Sequence, residues 1–526
     1  MGTIYRAVWT SDGTDEAISE WRALVAAWAT ESQTSTELPE GRSEWDVSQD
    51  RHRTILHRSI DSHAFAVSTI DRRDGDPTEW TTLIQVVADD SGVHVLVENS
   101  MDSDDLSLRV SVGRPRVVHD LLSAAAKPVL GASTLLTEPV SIPAAGIDIL
   151  TALLANPERT LPVIVCSEPG GQHDQAWLGT VEKIARRAEG VAVVVTLDNE
   201  AVTAFRNALG DLAIWGGGIR VYGPESVTVE ADGWRHRLYS RDRLEGARRA
   251  TIDRIVYAVA QLSTRRRIPD AFGVFNENDD VSVDATSVDV IPTRDFDEAR
   301  KQWKFDLELA LEERSDLEKQ LARTNGHLAR MKDELIAKGL ADVIWGTEHA
   351  TESSVPDEVQ DTSEAVLAAQ MYLTKWLVLP DSAARELADI DTAPTSYAWG
   401  NTTWRGLRAL AAYAEDRAHG WDGGGFWEWC SSGPLLGWPA TSKKLSMTES
   451  ESVQNDGKIS RTRVFEVDRA VDSDGSITML AHLKIAEGGG NLAPRVYFYD
   501  DTNGATGRVH VGLVGPHYLV PNKSTN

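Results

Sequence analysis

The sequence predicts a multidomain protein that combines α/β and α+β architecture. A chain of 526 residues is longer than one hydrophobic core usually organises, so we expect roughly two to four domains. In the middle of the chain, apolar runs of strand length alternate with segments of helical period, and the last region places helices before short strands. With 41% hydrophobic residues and 17 Trp, the chain has ample material for packed cores.

Charge and cysteine content limit the classes of partner and cofactor. The formal net charge is -27, so the surface repels nucleic acid at long range, and contact with RNA or DNA requires a local basic patch. The two cysteines, Cys166 and Cys430, have no His or Cys neighbours at metal-ligand spacing. We therefore predict no disulfide framework, no metal site and no cofactor.

Targeting signals are not evident in the sequence. The first residues, MGTIYRAVWTSDGTDEAISEW, lack a basic region followed by an apolar one, and no apolar run approaches the length of a membrane span. These two features predict a soluble, cytoplasmic protein without a membrane partner.

The N-terminal region, residues 1–115, is predicted to be a mixed α+β domain. A helix is indicated over 15–30, and the strand patterns FAVSTI, WTTLIQVVADD and GVHVLVENS follow it. The turn-forming segments RDGDP and DDSG separate these strands. This order is typical of an antiparallel meander.

Residues 116–275 are predicted to form an α/β domain with a mainly parallel sheet. The strand candidates LPVIVCSEP, AVVVTLD and GGIRVYGP contain long apolar runs, and helical segments that end in Gly separate them. Strands of this kind are buried on both faces, as in parallel sheets covered by helices.

The carboxyl ends of these strands supply candidate ligand-binding residues, because open α/β sheets usually bind ligands there. The rule selects Ser167, Glu168, Asp198 and Gly217, the last within the turn WGGG. Neither a G-x-G-x-x-G fingerprint nor a phosphate loop accompanies them. They indicate a small-molecule enzyme site, or, since glycines after a strand are more often turn formers, ordinary turns.

Three further segments are predicted between the globular regions: a linker over 276–294, a long helix or coiled coil over 295–340 and an acidic spacer over 341–364. The helical segment carries a heptad seam through Trp303, Leu307, Ala310, Arg314, Leu317, Leu321, Thr324, Leu328, Met331 and Leu335. Such a seam predicts association with a protein partner or a second copy of the chain. The alternative is a single amphipathic helix that folds back on its own domain.

Residues 365–526 are predicted to form an α+β domain with helices first and a small antiparallel sheet last. The helical segments SEAVLAAQMYLTKWLVLP and NTTWRGLRALAAYAEDRAHG precede the strand patterns HLKI, RVYFY and VHVGLV. A Lys-bearing strand, an Arg-led strand and an apolar strand followed by His517 occur in this order. Over about residues 449–519 the pattern resembles the RelE/ParE toxin fold.

The resemblance implies two alternative activities. Members of the RelE branch cleave messenger RNA, often on the ribosome, whereas the ParE branch acts on gyrase without nuclease activity, so the fold alone does not fix the function. Cleavage of RNA through its 2′-hydroxyl requires a base, cationic groups and an acid. The candidate catalytic residues are Lys484, Arg495, Tyr497, His510 and His517.

Strand alternation predicts which of these side chains share a face. His482 and Lys484 lie on one face of their strand, as do Arg495, Tyr497 and Tyr499 on the next. If the strands pair on that face, they form a cationic, aromatic surface that can hold a phosphate and stack a base. Alternatively, basic residues alternate with apolar ones because the sheet is half-exposed.

Two functional hypotheses follow from different classes. The first is a multidomain bacterial effector or defence-type protein whose C-terminal RelE-like domain binds RNA or cleaves it as a metal-independent endoribonuclease. The second is a non-catalytic interaction or regulatory subunit that assembles through residues 295–340. The first predicts an RNA activity that depends on Lys484 and Arg495, and the second predicts association without one.

Overall fold

An eight-stranded antiparallel sheet forms the N-terminal part of the protein in the computed structural model. Its strands are β1 (Gly2–Asp12), β2 (Gly41–Ser48), β3 (Arg51–Ser59), β4 (Ala64–Arg73), β5 (Asp76–Asp89), β6 (Gly92–Asp102), β7 (Ala126–Leu130) and β8 (Ser133–Thr134). Their order in the sheet is β2-β3-β4-β5-β6-β1-β7-β8. The predicted meander of FAVSTI, WTTLIQVVADD and GVHVLVENS is confirmed as β4, β5 and β6, which pair in sequence.

The structure describes most of the chain on either side of one long segment. The described residues are 2–13, 15–32, 34–60, 62–103, 112–170, 174–224, 227, 235–275, 355–486 and 490–521.

Helix α1 (Asp15–Ala29) contributes an apolar stripe to the first core. Ile18, Trp21 and Val25 are spaced by three and four residues, which brings them to one side of the helix. All three are buried in the same cluster as Trp9 of β1. Burial of this stripe holds α1 in place.

A five-stranded mixed sheet follows, with helices around it. Its helices are α2 (Arg116–Ala124), α3 (Ile147–Ala155), α4 (Gln175–Ala188) and α5 (Asn199–Leu209). Its strands are β9 (Val140–Ile142), β10 (Val163–Ser167), β11 (Val193–Leu197), β12 (Ile219–Tyr222) and β13 (Leu238–Tyr239). The order is β13-β12-β10-β11-β9, in which β9, β10 and β11 run parallel.

The prediction of a mainly parallel sheet is correct for β10 and β11 but wrong for the strand GGIRVYGP. This strand, β12, runs antiparallel to β10, and β13 runs antiparallel to β12. The connection after α5 brings Gly218 beside the carboxyl end of β10, where its carbonyl accepts the Ser167 N–H at 3.0 Å. Because β12 starts at that edge, it must run in the opposite direction.

Two helices follow the central sheet along the chain. They are α6 (Arg241–Gly246) and α7 (Arg248–Thr264), and α7 contacts α4 and β1. Most of α7 is buried, including Ile255, Val256 and Val259. The helix therefore joins the N-terminal and central sheets into one core.

The C-terminal region contains six helices and two sheets among its described residues. The helices are α8 (Thr362–Tyr372), α9 (Leu387–Asp391), α10 (Ser396–Ala418), α11 (Phe426–Ser431), α12 (Glu451–Gln454) and α13 (Gly457–Arg461). The strands are β14 (Leu377–Val378), β15 (Leu445–Ser446), β16 (Val464–Glu466), β17 (Ser476–Thr478), β18 (Ala481–Lys484), β19 (Pro494–Asp500) and β20 (Val509–Pro516).

The predicted antiparallel strands HLKI, RVYFY and VHVGLV are confirmed as β18, β19 and β20. They form a sheet of order β14-β20-β19-β18-β15, in which the short β14 runs parallel to β20. The hairpin β16–β17 is a separate two-stranded sheet. Its Phe465 packs in one apolar cluster with Tyr497 and Leu513, so the hairpin covers one face of the larger sheet.

Residues 355–521 pack directly against the N-terminal part of the chain within one unit. The Tyr257 hydroxyl donates to the Ala393 carbonyl at 2.5 Å, and the Arg265 guanidinium lies 3.7 Å from the centroid of the Tyr397 ring. The end of the predicted acidic spacer, residues 355–364, belongs to this packed unit. It includes the buried side chain of Val359.

The predicted linker over 276–294, the heptad segment over 295–340 and residues 341–354 lie outside the described residues. Within the described part of the chain, no helix combines the length and the apolar character needed to cross a membrane.

Candidate functional site

The C-terminal sheet brings several of the predicted catalytic residues onto one face. Lys484 of β18 lies directly opposite Arg495 of β19, and His482 lies opposite Tyr497. His517 follows β20, and its pKa is lowered by burial and by the positive charges of Arg495 and its neighbours. The shared face that strand alternation predicts is therefore present.

Tyr497 has a structural position on this face. It is only 1% exposed, its hydroxyl donates to Glu449 Oε1 at 2.6 Å, and its ring stacks on His482 with centroids 4.6 Å apart. The same carboxylate oxygen accepts from Arg463 Nε at 3.0 Å. Burial and the Glu449 carboxylate both raise the pKa of the Tyr497 phenol. Tyr497 is thus covered and hydrogen-bonded, and its ring is not open to stack a base.

His510 lies at the far end of the same sheet. It pairs with Tyr499, and its Nε2 is 2.9 Å from Thr506 Oγ1. It lies five positions before Gly515, the partner of Arg495, which is about 16 Å along β20. The structure therefore does not place His510 with the other predicted catalytic residues.

The basic side chains that remain together are Lys484, Arg495 and His517, which we name the C-terminal basic cluster. Lys484 Nζ donates to the Ser442 carbonyl at 2.9 Å, and Arg495 Nη1 donates to the Pro494 carbonyl at 3.0 Å. All three side chains are half-buried. The cluster can contact an anion, but no base and acid pair is evident in it.

The predicted ligand-binding residues of the central sheet lie at the carboxyl ends of β10 and β11, where they shape turns. Ser167 is buried, and its hydroxyl donates to the Gly218 carbonyl and accepts from the Gly217 N–H, both at 3.1 Å. Asp198 caps α5 by accepting from the Ala201 N–H at 2.7 Å. The N–H of Glu168 donates to the Leu197 carbonyl at 2.8 Å.

Gly217 fits its turn because it has φ +82°, and a Cβ there would lie 3.2 Å from both Arg241 and Pro169. Ser167 and Gly217 therefore form a turn, and Asp198 caps a helix.

A cavity that the sequence did not indicate lies where the central and C-terminal parts meet. Its volume is about 390 Å³, which is within the usual range for organic ligands. One wall comes from β12, β13, α6 and α7, and the facing wall comes from α8, α9 and the turn between them. We name it the junction cavity.

Four arginines line the junction cavity: Arg220, Arg237, Arg243 and Arg254. Arg220 is held by backbone carbonyls, including that of His236 at 2.7 Å. Partial burial and the positive charges of Arg254 and Arg237 lower the pKa of Arg243. The arginines are therefore close enough to repel one another.

Two of these arginines also hold buried acids of the C-terminal part. Arg237 Nη2 donates to Asp361, the residue that caps α8, and Arg254 Nη2 donates to Asp391 and to Ser363. The side chains of Arg237 and Asp361 are 9% and 6% exposed. Against the effect of burial, Arg237 keeps the pKa of Asp361 below its usual value. Each acid is thus compensated by one arginine.

Several polar atoms of the cavity-lining residues are nevertheless unsatisfied. Among the lining residues, five buried atoms have no hydrogen-bond partner in the described part of the chain, and each is closed to solvent: Arg237 Nε, Arg237 Nη1, Arg254 Nε, Tyr239 Oη and His236 Nε2. Burial and Arg220 lower the pKa of His236 to about 3, so its imidazole is neutral. Because its Nδ1 accepts from the Gly223 N–H at 3.3 Å, its Nε2 carries the proton. All five atoms can therefore donate.

Sequence reasoning missed this site because its residues are scattered. The segment RHRLY and α7 supply one wall, α8 and α9 supply the other, and no catalytic or phosphate-binding motif joins them. The available signal was the pair of basic residues, Arg235 and Arg237, that alternate along a short strand-like run. Such alternation is common on exposed strands.

Comparison of the chain with protein-family models, with curated proteins and with solved structures gave no significant match. The similarity of residues 449–519 to the RelE/ParE fold therefore stays a prediction.

Proposed function

We propose that this protein binds a small anionic ligand in the junction cavity, as a ligand-responsive protein. The observation that carries the proposal is the set of four arginines that line one cavity, of which Arg243 has no carboxylate partner among the described residues. Partial burial and the positive charges of Arg254 and Arg237 lower the pKa of Arg243, so an anion beside it relieves a repulsion that the empty site carries.

Charge supports an anion rather than a neutral acceptor. The lining includes four arginines and one carboxylate, that of Asp381. Asp361 accepts a hydrogen bond from one edge of Arg237, and Asp391 accepts one from one edge of Arg254. Inside a partly buried cavity the local dielectric is low, so the remaining positive charge attracts an anion more strongly than it would in water. Hydrogen bonds from arginine to an anion are also about twice as strong as neutral ones.

Titration calorimetry of the full chain with sulfate and with inorganic phosphate at low salt tests the proposal. Arg243→Gln removes a cation at the cavity, and we expect affinity to fall roughly ten- to hundredfold, the loss of about 1.5–3 kcal/mol that a charged hydrogen bond contributes. Arg241→Gln is the matched control, because Arg241 is a nearby exposed arginine that pairs with Glu245.

Two further variants separate binding from folding. Arg237→Lys keeps a cation beside Asp361 but removes the two unsatisfied nitrogens, and Tyr239→Phe removes one unsatisfied hydroxyl without touching either ion pair. Both should fold. Arg237→Lys should bind anions more weakly, because a point charge replaces the planar guanidinium group at the cavity, whereas Tyr239→Phe should bind like the wild type, because its hydroxyl is closed to the cavity. The proposal is wrong if neither anion binds the wild-type protein, or if Arg241→Gln weakens binding as much as Arg243→Gln.

A second candidate function is RNA contact through the C-terminal basic cluster, which the opposition of Lys484 and Arg495 favours. Retention or cleavage of labelled single-stranded RNA, alone and in a translating extract, should be lost in the Lys484→Ala/Arg495→Ala variant. Lys458→Ala, at an exposed lysine of α13, is the control. Equal RNA activity in the double variant would remove the cluster as the site.

A further inference from the structure

Apolar side chains line the junction cavity beside its arginines. Leu238 of β13 is 43% exposed and Leu367 of α8 is 40% exposed, and they line the cavity from opposite walls. The facing wall also includes Val366, Ala384 and Leu387. A single exposed leucine is common on a protein surface, but apolar side chains on two walls of one cavity are typical of a site for an organic ligand.

This apolar surface separates organic anions from inorganic ones. An inorganic anion beside Arg243 has no apolar part to place against the leucines, so Leu238 and Leu367 would stay in contact with water. An apolar group attached to the anion would remove them from water, which is favourable in proportion to the apolar area that is buried. An organic anion should therefore bind more tightly than the inorganic anion that shares its acidic group.

The charges indicate where the acidic group of the ligand lies. Arg243 lines the cavity, is accessible to solvent and has no carboxylate partner among the described residues. Three carboxylates, those of Asp361, Asp391 and Asp381, offset three of the four lining arginines, so about one positive charge remains. One acidic group placed at Arg243 compensates that charge, and either a carboxylate or a phosphate ester can supply it.

The facing wall disfavours a second acidic group on the ligand. Asp381 lines this wall and is exposed, and its Oδ1 accepts from Gln370 Nε2 at 2.9 Å. The charge of this carboxylate repels another anion placed beside it. The part of the ligand that lies against the facing wall should therefore be uncharged.

We infer that the junction cavity binds an organic anion that has one acidic group and an uncharged apolar body. The acidic group lies at Arg243, and the body lies between Leu238 and Leu367. This inference rests on the proposed anion-binding function and adds the body of the ligand to it.

Two matched pairs of probes test for the body by titration calorimetry on the full chain: benzoate against acetate, and phenyl phosphate against inorganic phosphate. Each pair shares an acidic group and differs in the phenyl ring. We expect the member with the ring to bind at least tenfold more tightly in both pairs. Benzamide keeps the ring without the charge and should bind at least tenfold more weakly than benzoate.

The outcomes separate this inference from the proposed function. If the ring brings no gain in either one of the pairs, or if benzamide binds as tightly as benzoate, the inference is wrong. If none of the four anions binds, the proposed function itself is wrong.

Variants of the two leucines test where the body lies. Leu367→Ser and Leu238→Ser should each weaken benzoate binding several-fold and leave acetate binding unchanged, because acetate does not reach the leucines. Both leucines are exposed, so both variants should fold. Met371→Ser is the matched control, since Met371 is on the same helix as Leu367, is 45% exposed and does not line the cavity. Equal losses for benzoate and acetate would contradict this placement.

Terephthalate tests the single acidic group, because its second carboxylate lies across the ring from the first. It should bind the wild-type protein several-fold more weakly than benzoate. Asp381→Asn keeps an acceptor for Gln370 and removes the charge, so it should bring the two affinities closer. Asp422→Asn, at an exposed aspartate that does not line the cavity, is the control. An unchanged difference in Asp381→Asn would show that the body does not lie beside Asp381.

Discussion

At the level of single residues, Arg237 and Arg254 each combine two features. One edge of each guanidinium group compensates a buried aspartate, and each residue lines the junction cavity. Removing either arginine would leave a buried carboxylate uncompensated, which typically costs about 3–5 kcal/mol. This is why the variants that probe ligand binding retain a cation at Arg237 and leave Arg254 unchanged.

Asp391 gives anion binding a pH dependence. Burial and the neighbouring Asp361 carboxylate raise its pKa to about 6, although Arg254 opposes the shift. Its usual value is near 4, so between pH 6 and pH 4 the folded protein holds a proton that the unfolded chain releases. The contribution of Asp391 to stability therefore increases as pH falls through 6, and is lost as pH rises through 6.

Protonated Asp391 no longer neutralises Arg254, so we expect the Kd for sulfate to fall between pH 7 and pH 5. The change is about tenfold for each pKa unit by which the bound anion raises the pKa of Asp391. Sulfate remains a dianion over this range, and His236 stays neutral because its pKa is about 3. Calorimetry at several pH values checks the trend. An Asp391→Asn variant with the same pH dependence would show that another group is responsible.

At the scale of secondary-structure elements, α10 approaches the start of α8 closely enough to require a glycine. A Cβ at Gly400 would lie 2.4 Å from the carbonyl carbon of Asp361, which a backbone atom cannot accommodate without movement. Gly400→Ala should therefore displace the cap of α8 and with it the Arg237–Asp361 ion pair.

We expect Gly400→Ala to destabilise the protein by about 1–3 kcal/mol or more in denaturant unfolding and to weaken phosphate binding. The control is Gly179→Ala in α4, where a Cβ would meet nothing within 4 Å. That variant should be neutral or more stable by up to about 1 kcal/mol, since alanine favours helix. Unchanged stability and affinity in Gly400→Ala would show that the two helices are not held at this spacing.

Local sequence patterns predicted the strands better than they predicted strand direction or which segments cover the sheet. Period-two alternation and turn residues identified β18, β19 and β20, and the face shared by His482 and Tyr497, because both features are local. The direction of β12 depends on where the chain leaves α5, which strand composition does not encode. Likewise, alternation could not show that Phe465 and Glu449 cover Tyr497, because they approach it from other segments.

The junction cavity was unpredictable for a related reason. Its two walls are separated in sequence by residues 276–354, and its defining property is a group of four arginines that only folding brings together. A single sequence reports residue types but not which distant side chains line one cavity.

At the scale of the whole molecule, the heptad seam over 295–340 predicts self-association or binding of a protein partner. Leu321→Asp/Leu328→Asp should convert an oligomeric chain to a monomer in light scattering, since two charges in an a/d seam are not tolerated. Gln320→Asp/Arg323→Asp changes charge beside the seam and is the control. A wild-type chain that is already monomeric and captures no partner would remove the role of this segment in assembly.

Ligand binding should stabilise both sides of the junction together, because the cavity takes its walls from α7 and α8, which lie in different parts of the chain. A ligand that binds only the folded state at 100 times its Kd adds about 2.7 kcal/mol to the free energy of unfolding. We therefore expect sulfate to raise Tm in a single transition and to slow hydrogen exchange in β13, α7 and α8 to a similar degree. Arg237→Lys should reduce both effects. Protection confined to α8, with β13 and α7 unchanged, would mean that the ligand binds the facing wall alone and that the arginine wall does not hold it.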